Sequence, residues 1–116
     1  MNAASLAFVN LYHYLTKRAP RVDFYLGALA YTEMVIPTSF TSFAAACQRL
    51  GIRPRAYFTE HIHIDAYHTR DALLALEAMA AESALDVQAA WMGALLAQTV
   101  SDLAFDAAIG KAKGEA

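Results

Sequence analysis

Three of the four histidines of this 116-residue chain fall within one stretch, Tyr57-Phe58-Thr59-Glu60-His61-Ile62-His63-Ile64-Asp65-Ala66-Tyr67-His68. Imidazole nitrogens and carboxylate oxygens are the mixed donor set that suits iron, manganese or zinc. At about 100° per residue, His61, Asp65 and His68 lie at about 0°, 40° and −20° around a helix, so successive turns stack them on one stripe. Ile64 and Ala72 flank the stripe, which continues into Ala72 and Ala75, residues small enough for a neighbouring helix to approach. Glu60 and His63 point elsewhere and read as exposed or second-layer groups. The plain alternative is a helix carrying surface histidines and a solvated or ion-paired aspartate.

Glu33 is the only acidic residue between Asp23 and Glu60, and it sits within Leu26-Gly27-Ala28-Leu29-Ala30-Tyr31-Thr32-Glu33-Met34-Val35-Ile36. A carboxylate in such an apolar helix is costly to bury unless it is paired, protonated or bound to a cation. It can also point outward, or meet an arginine such as Arg53 or Arg55.

Helices must position these groups. Hydrophobic residues make up 58% and charged residues 17%, and no alternating runs flank an Asn-Gly or Asp-Gly turn, so the pattern predicts an all-α fold, a compact bundle of about five helices in one domain over residues 1–116. The expected helices cover Ala3–Lys17, Val22–Ile36, a segment from Thr38 or Ser39 to Leu50, Arg55–Glu82, and Val87 to about Lys111. Pro37 is read as a helix stop, Gly51 as a left-handed cap, Ile52-Arg53-Pro54 as a turn, and Ser83–Asp86 as a break that re-caps the chain. Tyr57, Phe58, Tyr67 and Trp91 are expected in the core or along a pocket wall.

Composition excludes several classes. The charges nearly balance (9 Lys+Arg, 11 Asp+Glu) without a basic run, which argues against nucleic-acid binding. The uncharged stretches Asn2–Thr16, Met34–Gln48 and Val87–Ser101 fall short of the ~20 apolar residues that span a bilayer. A lone cysteine, Cys47, fits a reducing compartment and a small buried hydrophobe. The expectation is a soluble, cytoplasmic chain whose apolar excess is covered by something outside it, a second copy or a complementary chain.

Glu33 on one helix, followed by Tyr57-Phe58 and His61-x3-Asp65-x2-His68 on a later one, resembles the heme-oxygenase-like diiron oxidases, the iron-containing redox enzyme family. The resemblance covers about Gly27 to Leu74, with the Ala-rich stretch from Ala72 and Trp91-x-Gly93 compatible with the closing helices. It implies an all-α fold shared with heme oxygenase and the thiaminase-like proteins. It also implies non-heme iron, one or two ions, that activates O2 to oxidise an unidentified small-molecule substrate by N-oxygenation, C–C cleavage or desaturation. Glu33 then corresponds to the second-helix glutamate ligand, and His61, Asp65 and His68 to the third-helix ligands.

The family takes a further glutamate and histidine from an earlier helix, whereas the only acid and histidine upstream of Glu33 are Asp23 and His13. The chain thus matches the second half of the family domain: a fragment, a half-domain completed by another chain or by a second copy through His13 or Glu33, or a degenerate relative. Four ligands alone could still hold one iron with positions open for O2 and substrate.

Other readings are weaker. Glu60-x2-His63 has ferritin-like diiron spacing, but that fold needs the motif twice. No His-Glu-x-x-His marks a zinc hydrolase, no histidine lies near Cys47 in sequence, and heme at His13 or His61 rests on fold analogy alone. A non-catalytic helical interaction module, binding metal structurally or not at all, is the reading from a different class.

Overall fold

The computed structural model describes residues 2–53 and 56–114. It contains four helices, α1 (Ala3–Lys17), α2 (Val22–Arg49), α3 (Ala56–Ala81) and α4 (Val87–Lys113), and no strand among the described residues. The all-α class is as expected, and the boundaries follow local chemistry. Asn2 caps α1 by accepting the Ser5 N–H at 2.8 Å, and Asp86 caps α4 by accepting the Ala89 N–H at 3.0 Å. Gly51 takes a left-handed φ of 67°, with the Ile52 N–H closing onto the Cys47 carbonyl at 2.9 Å. This is the Schellman closure for which glycine is suited. Ser83 makes the same turn after α3 with φ 55°, and the Ala84 N–H bonds the Met79 carbonyl at 2.9 Å. Pro54 and Arg55, assigned above to the turn and to the start of the fourth expected helix, lie outside the described residues.

The expected stop at Pro37 is not observed. One helix, α2, continues through it to Arg49, so four helices replace the expected five. A proline inside a helix costs about 3 kcal/mol, because it removes a donor and crowds the carbonyl four residues back. That carbonyl is Glu33 O, and it accepts the Thr69 hydroxyl of α3 at 2.7 Å. Beyond the proline, aromatic packing between α2 and α3 holds the helix: Phe40 meets Phe58 edge-on at 5.2 Å between centroids and Tyr57 at 5.7 Å. Phe43 meets Phe58 at 5.8 Å.

The chain divides into two compact units, Met1–Ala28 with Leu85–Ala116, and Leu29–Ala84. In the first, α1 packs on α4, and the start of α2 lies so close to α4 that only glycine fits twice. A Cβ on Gly27 would overlap the Ala90 carbonyl, and one on Gly93 would overlap the Phe24 carbonyl. Leu15, Ala28, Ala89, Ala90 and Ala97 are buried there. The Tyr12 hydroxyl donates to the Ala28 carbonyl at 3.2 Å.

Asp23 is the buried polar anchor of this unit, 1% exposed. Its Oδ1 accepts the Asp86 backbone N–H at 2.7 Å and its Oδ2 accepts Arg21 Nε at 2.9 Å. The Asp86 N–H, with help from Arg21, holds the Asp23 carboxyl below the usual carboxylate range, against the opposite push of burial.

In the second unit, the buried face of α3 carries Asp65 and Ala72, seven residues apart on one stripe, and Ala30 of α2 is buried as well. Tyr67 and Trp91, expected in the core, are 59% and 65% exposed. Both helices that carry them are apolar on several sides, so spacing alone could not pick the buried one. Tyr57 is also largely exposed, though its ring touches Phe40 and Phe58. Among the described residues, no helix is long and apolar enough to cross a membrane.

Candidate metal centre

Within the second unit, Glu33 of α2 and Asp65 and His68 of α3 each offer a ligand atom, and these atoms all lie within 4.8 Å of one another. His68 Nδ1 is 3.0 Å from Asp65 Oδ1 and 3.2 Å from Glu33 Oε2. Asp65 is buried, Glu33 is mostly so, and His68 is half exposed, which leaves the group one open side.

The electrostatics ask for a cation. Two ionised carboxylates within about 5 Å repel by roughly 3 kcal/mol at an effective dielectric of about 20. Positive charge between them, an imidazolium proton or a metal ion, reverses the sign. Glu33 Oε2 and Asp65 Oδ2 are also buried without a hydrogen-bond partner; the 3.2 Å approach of His68 Nδ1 to Glu33 lacks hydrogen-bond geometry. Buried carboxylate oxygens are rarely left so. Two such oxygens with an adjacent imidazole fit a divalent ion that takes oxygen and nitrogen donors, as iron does.

His61 is not part of this trio. Its Nδ1 lies 2.7 Å from the Tyr57 carbonyl oxygen, and its ring packs against Tyr57 at 4.4 Å and Phe40 at 5.4 Å between centroids. A carbonyl can only accept, so Nδ1 carries the proton and the lone pair sits on Nε2. Metal-ligating histidines are commonly oriented in this way, with the far N–H on a backbone carbonyl.

The remaining sequence candidates are not among these grouped donors. Glu60 and His63 are exposed, and the His63 ring contacts Tyr67 edge-on at 5.9 Å. His13 is exposed on α1. Glu33 pairs with His68, not with Arg53, while Arg55 lies outside the described residues. Cys47 is a half-buried free thiol. Sequence reasoning missed Thr69 and read Pro37 only as a helix stop. The signal available was a proline four residues after a candidate ligand, beside which a hydroxyl donor must be found.

The family described as iron-containing redox enzyme matches residues 1–101. A nitrosourea synthase of Streptomyces achromogenes subsp. streptozoticus is 39% identical over 75 residues, which cover 60% of this chain and 15% of that protein. The chain therefore spans a small part of the length of the curated relative it matches. No solved structure matches the chain significantly.

Proposed function

The chain belongs to the iron-containing redox enzyme family, and from that premise we propose that Glu33, Asp65 and His68 bind non-heme iron, with His61 Nε2 as the fourth donor, for O2-dependent oxidation of a small molecule. The observation that carries this reading is the pair of buried, unpartnered carboxylate oxygens, Glu33 Oε2 and Asp65 Oδ2, beside one imidazole. When bound, iron supplies the redox chemistry; the protein's part is position and exclusion of water.

Each side chain has a separate task. Asp65, in the buried face of α3, is an oxygen donor shielded from water. Glu33 brings the second carboxylate from α2. His68, half exposed, closes the group on its open side, where a substrate can enter. His61 is held with its Nε2 lone pair available by the Tyr57 carbonyl, and the Phe40 and Tyr57 rings keep water from one side of its imidazole.

These four donors serve one ion. A second ion would draw further ligands from a second copy or a complementary chain, and the many exposed large apolar side chains, Leu95, Leu96, Leu103 and Ile109 of α4 among them, are in keeping with such a partner. The similarity to a nitrosourea synthase favours N-oxygenation among the family's reactions, because nitroso nitrogen is oxidised well beyond the amine level.

The test is O2 consumption by Fe(II)-loaded protein. Uptake that depends on added iron and is lost in Glu33→Gln supports an oxidase. Iron binding without uptake, across amine, amide and amino-acid substrates, favours the interaction-module reading instead.

A further inference from the structure

Resting on the reading of Glu33 as a metal ligand, we propose that Thr69 is a positioning residue. Its hydroxyl holds the backbone carbonyl that Pro37 leaves without a helical partner, and so fixes the Glu33 carboxylate opposite Asp65 and His68.

In an unbroken helix, Glu33 O would accept the N–H of residue 37. Pro37 has none, and its ring tilts that carbonyl away from the helix axis. The displaced carbonyl belongs to the residue whose side chain supplies an orphaned buried oxygen. Thr69 Oγ1 donates to it at 2.7 Å across the α2–α3 interface.

Four other helical threonines behave differently. Thr16, Thr41, Thr59 and Thr99 donate to carbonyls three or four residues back in their own helices. Thr69 donates instead to another helix. It is adjacent to His68 and one turn after Asp65, on the same side of α3. One hydrogen bond therefore ties the backbone of the α2 ligand to the segment that bears both α3 donors. A shift of either helix along the other would open the trio, and this bond resists that shift.

The test is Fe(II) affinity of the whole chain by anaerobic equilibrium dialysis, with the melting temperature of the metal-free protein read in parallel. Thr69→Val keeps the shape and removes the donor; iron should bind about tenfold or more weakly, the usual loss when a group supporting a ligand is removed. Thr69→Ser restores the hydroxyl and should bind within about threefold of the parent protein.

The double variant Pro37→Ala/Thr69→Val separates position from stability. It gives the Glu33 carbonyl a helical N–H, so folding recovers, yet the tie to α3 stays cut and iron binding should remain weak. Parent-like affinity in either Thr69→Val or the double variant overturns the proposal. Glu33→Gln is the control: parent-like binding there overturns the ligand reading itself, whereas loss there with intact binding in Thr69→Val overturns only the role of Thr69.

Discussion

Glu33 and His68, on different helices and far apart in sequence, meet with Oε2 3.2 Å from Nδ1. The contact joins α2 to α3 at the point where Asp65 adds a second carboxylate, 3.0 Å from the same nitrogen. Imidazole and carboxylate ligands take a metal in their deprotonated forms, so proton and metal compete for the site.

Competition of this kind predicts that metal binding releases protons and weakens as pH falls. Replacing His68 by Ala removes a donor and leaves two carboxylates facing each other. Fe(II) affinity should drop by about 100-fold or more, judged by the loss that removal of even a supporting group produces, while the metal-free protein loses stability. Removing His61, outside the trio, should cost less affinity than removing His68. Anaerobic titrations at two pH values check the affinities, and the melting temperature of the metal-free variant checks its stability.

The paired glycines predict a sharp contrast along α4. Alanine at Gly27 or Gly93 would drive a methyl into the backbone of Ala90 or Phe24. Overpacking against side chains costs about 1–3 kcal/mol, and backbone yields less, so either variant should lose about 3 kcal/mol or fail to fold. Gly110 has open space around its Cβ position, and Gly110→Ala should gain up to about 1 kcal/mol from helix propensity alone. Urea unfolding of the variants measures both signs.

Asp23 predicts how the fold responds to acid. Its folded-state carboxyl titrates below its unfolded value of about 3.9. The unfolded chain therefore binds the proton first, and the stability contributed by Asp23 is present above that value and lost as pH falls through the lower folded one. Asp23→Asn should flatten the acid limb of melting temperature against pH. Asp23→Ala, which also strands the Asp86 N–H, should cost about 1–3 kcal/mol at neutral pH.

Ser83 closes α3 with φ 55°, a conformation in which a side chain is strained and glycine is not. Ser83→Gly should therefore be neutral or stabilising by up to about 1 kcal/mol, read by the same urea titrations.

Much of this was legible from residue types. Gly51 announced its cap and Ser83–Asp86 the re-capping of the chain because capping is local: a left-handed turn needs glycine, and a helix start needs a short acceptor. The closeness of Asp65 and His68 follows from their spacing, and Glu33, which meets them, stood out by its isolation among apolar residues. Pro37 was misread because its cost is local while its remedy, the Thr69 hydroxyl, lies on another helix. His61 shares its stripe with Asp65, and spacing does not encode that its Nδ1 turns to the Tyr57 carbonyl and its ring packs on Phe40. Trp91 and Tyr67 were misplaced because a helix apolar on several faces does not announce which one is buried.

The most direct test of the central claim is the stoichiometry of Fe(II) binding, measured by anaerobic calorimetric titration of the parent chain and Asp65→Asn. The account predicts saturable binding of about one ion per chain in the parent and a loss of about 100-fold or more in affinity in the variant. Equal binding by the two proteins, or no saturable binding by the parent, would contradict it.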